Sequence, residues 1–217
     1  WADWEACKEI EGELLQRVLG DVTSGTRAAG VMALVSDVLD ATLISVDDMV
    51  SILWTEWRRQ DEKLMIRTYS DGSVVGKGGS YGWVVVVTDE AGKRWAAGGV
   101  GRLPDSETMD STRAEQAGTL AGACFGRELR RLGVRAKMEH RLDNQGVVAT
   151  MEKALLLKAA DWDNLASGDL VDATVCVGRE FWADWEVFWT RGHPERRKKQ
   201  EDWTETDRAN FVCDKLA

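Results

Sequence analysis

"IRTYSDGSVVGKGGSYGWVVVV", residues 66–87, reads as two strands joined by a glycine-rich turn. Its valines and aromatics suit a pleated, half-buried surface, and "VGKGGS" supplies what a reversal needs. The first strand is expected over Leu64 to Asp71, the second over Tyr81 to Thr88, and a third over Arg94 to Val100 after a second turn, "DEAGK". Three strands joined by short turns form an antiparallel meander. Asp71 closes the first of them, and Asp71-Gly72-Ser73 is by itself ordinary turn chemistry.

Downstream the texture changes. Apolar spacing predicts a long helix over Thr112 to Leu132, a strand over Ala136 to Leu142, and helices over Asn144 to Lys158 and Asp169 to Glu180. A strand over Glu186 to Trp189 and a helix over Glu205 to Ala217 follow. Helices between strands imply crossovers, so the later strands should add in parallel and give an α/β fold: a mixed sheet flanked by helices. Gly118, Gly122 and Gly126 leave one face of the long helix nearly smooth, which predicts close approach to a neighbour. Upstream, residues 1–60 read as three short helices, carried by Ile10 to Leu19, by Val31 to Val38 and by Val50 to Trp57. The expected division is therefore a helical segment at 1–60 and a second unit at 64–217.

The net charge of −9 argues against holding nucleic acid by bulk positive charge. Two local basic clusters stand against it: Arg127, Arg130, Arg131, Arg135 and Lys137, then Arg196, Arg197, Lys198 and Lys199. Either can touch phosphates or simply be solvated. Cys7, Cys124, Cys176 and Cys213 are scattered through apolar segments without a C-x-x-C pair, which fits buried free thiols. With no long apolar run and a charged opening, the chain is expected to be soluble and intracellular, cytoplasmic or nuclear. Because it opens on Trp1 instead of Met, it is also expected to be a piece of something longer.

Three more acids stand at element tips like Asp71. Glu115 in "STRAEQAG" lies in the first helical turn, where Thr112-x-x-Glu115 has capping-box spacing. Asp143 in "RLDNQGVV" sits where strand gives way to helix, so it or Asn144 can serve as N-cap. Asp214 in "NFVCDKLA" lies in an apolar helical stretch where no cap or turn rule asks for an acid. Parallel strands end at a common edge, so such acids can converge there. Converging carboxylates repel unless cations join them, and hard oxygen ligands suit Mg²⁺ or Mn²⁺. His193, beside Gly192 on a loop, is suited to moving protons. His140 alternates with Met138 and Leu142 and reads as partly buried core.

The ordered set "YSDGS", "STRAEQAG", "LDNQGVV", "RGHPE" and "NFVCDKLA" resembles the ribonuclease H family across residues 64–217. The resemblance implies a five-stranded sheet and hydrolysis of the RNA strand of an RNA–DNA hybrid. It makes Asp71, Glu115, Asp143 and Asp214 the ligands of two Mg²⁺ ions, with Mn²⁺ as a substitute, and His193 a proton-moving loop residue. Ser73, Arg113, Gln145 and Asn210 become substrate-binding residues. A short turn after Asp71, Ser111 and Thr112 in place of a paired Asn, and no long basic insertion after Lys158 look more like the domain attached to a retroelement reverse transcriptase. Residues 1–60 are then a candidate for the end of a preceding polymerase or connection part. Two alternatives stay open: a DNA-processing enzyme of transposase or integrase type, and a decayed scaffold that binds nucleic acid.

Overall fold

The computed structural model of the chain describes residues 35–60, 65–88, 91–154, 165, 167–179, 181 and 184–217. In chain order these hold β1 (Thr42–Leu43), α1 (Val46–Gln60), β2 (Met65–Val75), β3 (Gly78–Thr88), β4 (Arg94–Leu103) and α2 (Ser111–Arg131). Then come β5 (Lys137–Leu142), α3 (Gln145–Ala154), α4 (Gly168–Gly178), β6 (Trp185–Trp189) and α5 (Glu205–Leu216). The helix expected around Ile10, Cys7, the part of the Val31 to Val38 helix before residue 35 and the reach of α3 to Lys158 lie outside the described residues, while residues 35–39 are helical as expected.

The strands form one sheet in the order β1-β4-β3-β2-β5-β6. β2, β3 and β4 pair antiparallel, and β5, β6 and β1 are parallel additions. Six strands replace the five that the resemblance implies, because Thr42 and Leu43 pair with Trp95 and Ala96 at the edge. Two residues carry no periodicity to read. The meander is also longer than expected: β2 runs past Asp71 to Val75, and the reversal falls at Gly76 and Lys77, with Gly76 at φ 62°. Asp71-Gly72-Ser73 is therefore strand, opposite Gly82, Tyr81 and Ser80. The turn explanation for Asp71 is gone.

Side-chain alternation along the strands builds a core on each face. Trp83, Val85 and Val87 join Phe125, Leu129, Met138 and Leu142 on one face, together with Met49 and Leu53 of α1. Val84 and Val86 join Tyr69, Trp203, Val212 and Cys213 on the other, together with Val35, Val38 and Leu39. Residues 35–60 thus contribute to both. Cys124 and Cys213 are buried and outside any disulfide, whereas Cys176, on α4, is only half-buried, since one side of that helix faces outward.

The glycine stripe seats α2 on the sheet. A Cβ at Gly118 would stand 2.7 Å from Ser70 Cβ, one at Gly122 2.5 Å from His140 Nδ1, and one at Gly126 2.8 Å from Met138 Sδ. His140, which reads from the sequence as partly buried, has no exposed surface. Its Nδ1 lies 2.9 Å from Thr68 Oγ1 and its Nε2 3.0 Å from Ser70 Oγ. Burial lowers its pKa from 6.5 to about 3. The folded state thus binds fewer protons than the unfolded one in that window. The stability is present above pH 6.5 and is lost as pH falls toward about 3, at roughly 1.4 kcal/mol per pH unit. Denaturant melts at falling pH should show His140→Asn starting less stable but declining less steeply than the wild type. Parallel declines would assign the acid sensitivity to other groups.

Candidate active site

Neighbouring residues take up the capping roles that sequence spacing offers to the acids. Asp110 is the N-cap of α2, accepting the Arg113 N–H at 2.7 Å, so the helix begins at Ser111 and the expected Thr112–Glu115 capping box does not form. An aspartate one residue before the helix is as good a cap as the threonine inside it. Asn144 caps α3, accepting the Val147 N–H at 3.1 Å, which leaves Asp143 without that role. In α5 the cap is Thr204, and Asp207 completes a capping box with it, as their spacing suggests.

Asp71, Glu115 and Asp143 come together. One carboxylate oxygen from each lies within 4.8 Å of the others, at the end of β5, the middle of β2 and the first turns of α2. Two glycines make this possible. A Cβ at Gly72 would stand 2.4 Å from the Glu115 backbone nitrogen, and one at Gly192 would stand 1.8 Å from Asp143 Oδ2. The first lets α2 press against β2; the second lets the loop after β6 lie on the Asp143 carboxylate. Gly82, the register partner of Asp71, does the same for the last turn of α5, since a Cβ there would meet Leu216 Cβ at 2.5 Å.

Asp71 and Glu115 are almost fully buried, at 6% and 4% exposure. Burial first, and the neighbouring carboxylates second, raise both carboxyls well above the ordinary range. Asp143 is raised too, chiefly by burial, while the hydrogen bond with Glu115 and then His193 pull it back. Glu115 Oε2 is buried with no hydrogen-bond partner among the described residues. Three acidic oxygens brought within 4.8 Å of one another are a donor set for a hard divalent cation.

Asp214 stands outside this group of three. It is half-buried, 2.9 Å from Lys215 Nζ, and its charge still raises the Asp71 and Asp143 carboxyls. Asp207 is engaged elsewhere: burial pushes its carboxyl up, but hydrogen bonds from Lys198 and Thr204 outweigh this and hold it at about 2. His193 adopts the left-handed region at φ 50° and lies 3.4 Å from Glu195 through Nδ1.

Of the remaining residues implied by the resemblance, Gln145 is exposed at the start of α3 and Ser73 is half-buried in β2. Arg113 forms a bidentate pair with Asp169 at 2.7 and 2.5 Å, tying α2 to α4. Asn210 is 2% exposed, and both its amide atoms lack partners among the described residues. Trp189 escapes sequence reading: its indole N–H donates to the Asp143 carbonyl at 3.1 Å, pinning the end of β5. Gly192 escapes too, although its place in "RGHPE" marks a turn.

No protein-family model matches the chain, and neither does any curated protein. Solved structures do. LC9-RNase H1, described as a type 1 RNase H with the type 2 active-site motif, is 17% identical over 72% of this chain and 73% of its own, with a TM-score of 0.50. The fold is that of ribonuclease H. Two further ribonuclease H structures are similar at lower scores. RNase H1 from the halophilic archaeon Halobacterium salinarum is 18% identical, covering 70% of this chain and 97% of its own, with a TM-score of 0.43. LC11-RNase H1 in complex with an RNA/DNA hybrid is also 18% identical, covering 70% and 92%, with a TM-score of 0.43. The ribonuclease H fold accounts for the mixed sheet and for α2 and α5 lying against it. Among the described residues, no helix is long and apolar enough to cross a membrane.

Proposed function

We propose that the chain hydrolyses the RNA strand of RNA–DNA hybrids, leaving 3′-hydroxyl and 5′-phosphate ends. The observation that carries this reading is the convergence of Asp71, Glu115 and Asp143, freed from capping and turn duties, on one buried spot of a ribonuclease H fold. Asp71, Glu115, Asp143 and Asp214 would hold two Mg²⁺ ions, or Mn²⁺ in their place. When bound, such ions activate the attacking water and stabilise the leaving oxygen of a phosphodiester.

The chain's own residues do the rest. Burial of Asp71 and Glu115 keeps bulk water from the reacting centre. His193, held beside Asp143 by the loop, exchanges protons with solvent from a side chain that is 41% exposed. Gln145, exposed at the start of α3, and Ser73, half-buried in β2, contact the hybrid in this reading, and Arg113 and Asn210 complete the substrate-binding set. Strand choice rests on the ribose 2′-hydroxyl, the group RNA alone offers. In this reading the unit at 64–217 is the ribonuclease H part of a retroelement reverse transcriptase, and 1–60 continues from its tethered polymerase or connection part. The short turn after Asp71, Ser111 and Thr112 before the Arg-x-Glu, and the lack of a long basic insertion support that context.

Incubating the chain with labelled RNA–DNA hybrid, RNA duplex and DNA duplex, in Mg²⁺ or EDTA, tests the reading. Cleavage is expected only of the hybrid, only with the metal, and not where the scissile ribose is replaced by deoxyribose. Equal rates on the deoxyribose substrate would point to DNA processing. No cleavage of any substrate would leave a nucleic-acid-binding scaffold.

A further inference from the structure

From sequence, Arg196 to Lys199 read as a cluster that either touches phosphates or is solvated, but two of the four engage Asp207. Arg197 donates from Nε to the Gly192 carbonyl at 3.2 Å and from Nη2 to the Arg191 carbonyl at 2.9 Å. The same Nη2 lies 3.5 Å from Asp207 Oδ1, and the two side chains are 20% and 9% exposed. Asp207 is itself held, by Thr204 in the capping box and by Lys198 Nζ at 2.8 Å. A continuous set of contacts therefore runs from the start of α5 through Asp207 and Arg197 to the backbone of residues 191 and 192.

That backbone is the part of the loop that touches the acids. Gly192 lies so close to Asp143 that a Cβ there would overlap its Oδ2, and His193 follows at once in a left-handed conformation. We propose that Arg197, anchored on Asp207, is a positioning residue that clamps the Arg191–Gly192 backbone against Asp143 and so sets where the Asp143 carboxylate and His193 stand. This rests on the hydrolytic reading for its consequence in turnover, though not for the clamp itself. The interval between His193 and Asn210 thereby carries the arginine back over the loop that it holds. A planar guanidinium suits two adjacent carbonyls and a carboxylate at once, whereas an ammonium is a single point charge on a flexible stem.

The test compares Arg197→Lys and Arg197→Ala with the wild type in the full chain. Amide hydrogen exchange is followed in peptides covering residues 190–196, and kcat and KM are measured on RNA–DNA hybrid with Mg²⁺. Both variants are expected to exchange that segment at least about tenfold faster, because the loop opens locally once its clamp is gone. Both should lose roughly ten- to a hundredfold in kcat with KM within about twofold, the mark of misplaced groups rather than weakened binding. The lysine should not rescue, which separates clamping from mere positive charge. Unchanged exchange in both variants overturns the clamp, whatever the activity. Faster exchange with wild-type kcat overturns the positioning role. If the wild-type chain does not cleave hybrid, the hydrolytic reading falls, and the exchange comparison still decides the clamp.

Discussion

Replacing Asp71 by Asn is expected to slow hybrid cleavage in Mg²⁺ by at least about a thousandfold while leaving the chain folded, and in EDTA more stable than the wild type. The carboxylate sits within 4.8 Å of those of Glu115 and Asp143, so it is the charge a cation would share. Its local structural contact survives the change, because the Gly72 N–H it accepts at 2.7 Å can be accepted by an amide oxygen. What disappears is a buried negative charge among others. Burial first and Asp143 second raise the Asp71 carboxyl, so the folded state holds its proton to higher pH than the unfolded chain does. The associated stability is present below the ordinary carboxylate range and is lost as pH rises through the folded value. Thermal melts in EDTA at about pH 5 and about pH 8 should therefore show the wild type losing more than Asp71→Asn. Adding Mg²⁺ at the higher pH should raise the wild-type melting temperature more than the variant's. A folded variant that cleaves at the full rate would remove Asp71 from the site.

The second large effect is expected at Asp214. It shares a helical face with Asp207, one on the first turn of α5 and one on the last, so the two stand about 10 Å apart along the axis and only one can serve the acids. Asp207 is taken up by Thr204, Lys198 and Arg197. Among the described residues Asp214 pairs with the adjacent Lys215, and its charge reaches Asp71 and Asp143. Asp214→Asn should lower hybrid cleavage by at least about a hundredfold with little change in melting temperature. Asp207→Asn keeps one acceptor oxygen, enough for the Thr204 cap or for Arg197 but not for both, because the two use different carboxylate oxygens. It should cost helix stability first and less than about tenfold in rate. Rates and melting curves measured together decide the matter, and the reverse ranking would move the fourth acidic role to Asp207.

Where the sequence spoke locally, it was legible. The alternation of 66–87 and the helical spacing of 112–132 and 205–217 name their elements, because hydrophobic periodicity is a property of neighbours in the chain. The Thr204-x-x-Asp207 cap and the glycine stripe of α2 follow from equally short-range rules. Three points stayed open or were misread for one reason: more than one residue satisfied the rule. Thr112 and Asp110 could each begin α2, Asp143 and Asn144 could each begin α3, and Asp71-Gly72 could turn as readily as extend. In each case a hydrogen bond or a sheet register chose, and each choice left an acid unclaimed by local structure.

From β2 onward, sequence alone determined the elements, their order, the mixed character of the sheet and the four acids worth watching, since all of these rest on residue type and spacing. Tertiary structure decided which acids meet. Asp71 and Asp143 are far apart in the chain and adjacent in space because β2 and β5 pair in parallel, and Glu115 joins them because glycine at 72 lets α2 touch β2. It also decided that Arg197 and Lys198 turn inward to Asp207 instead of outward to phosphate. Charge and periodicity can be read from a sequence, but the partner of a long side chain is set by whatever the fold brings within its reach.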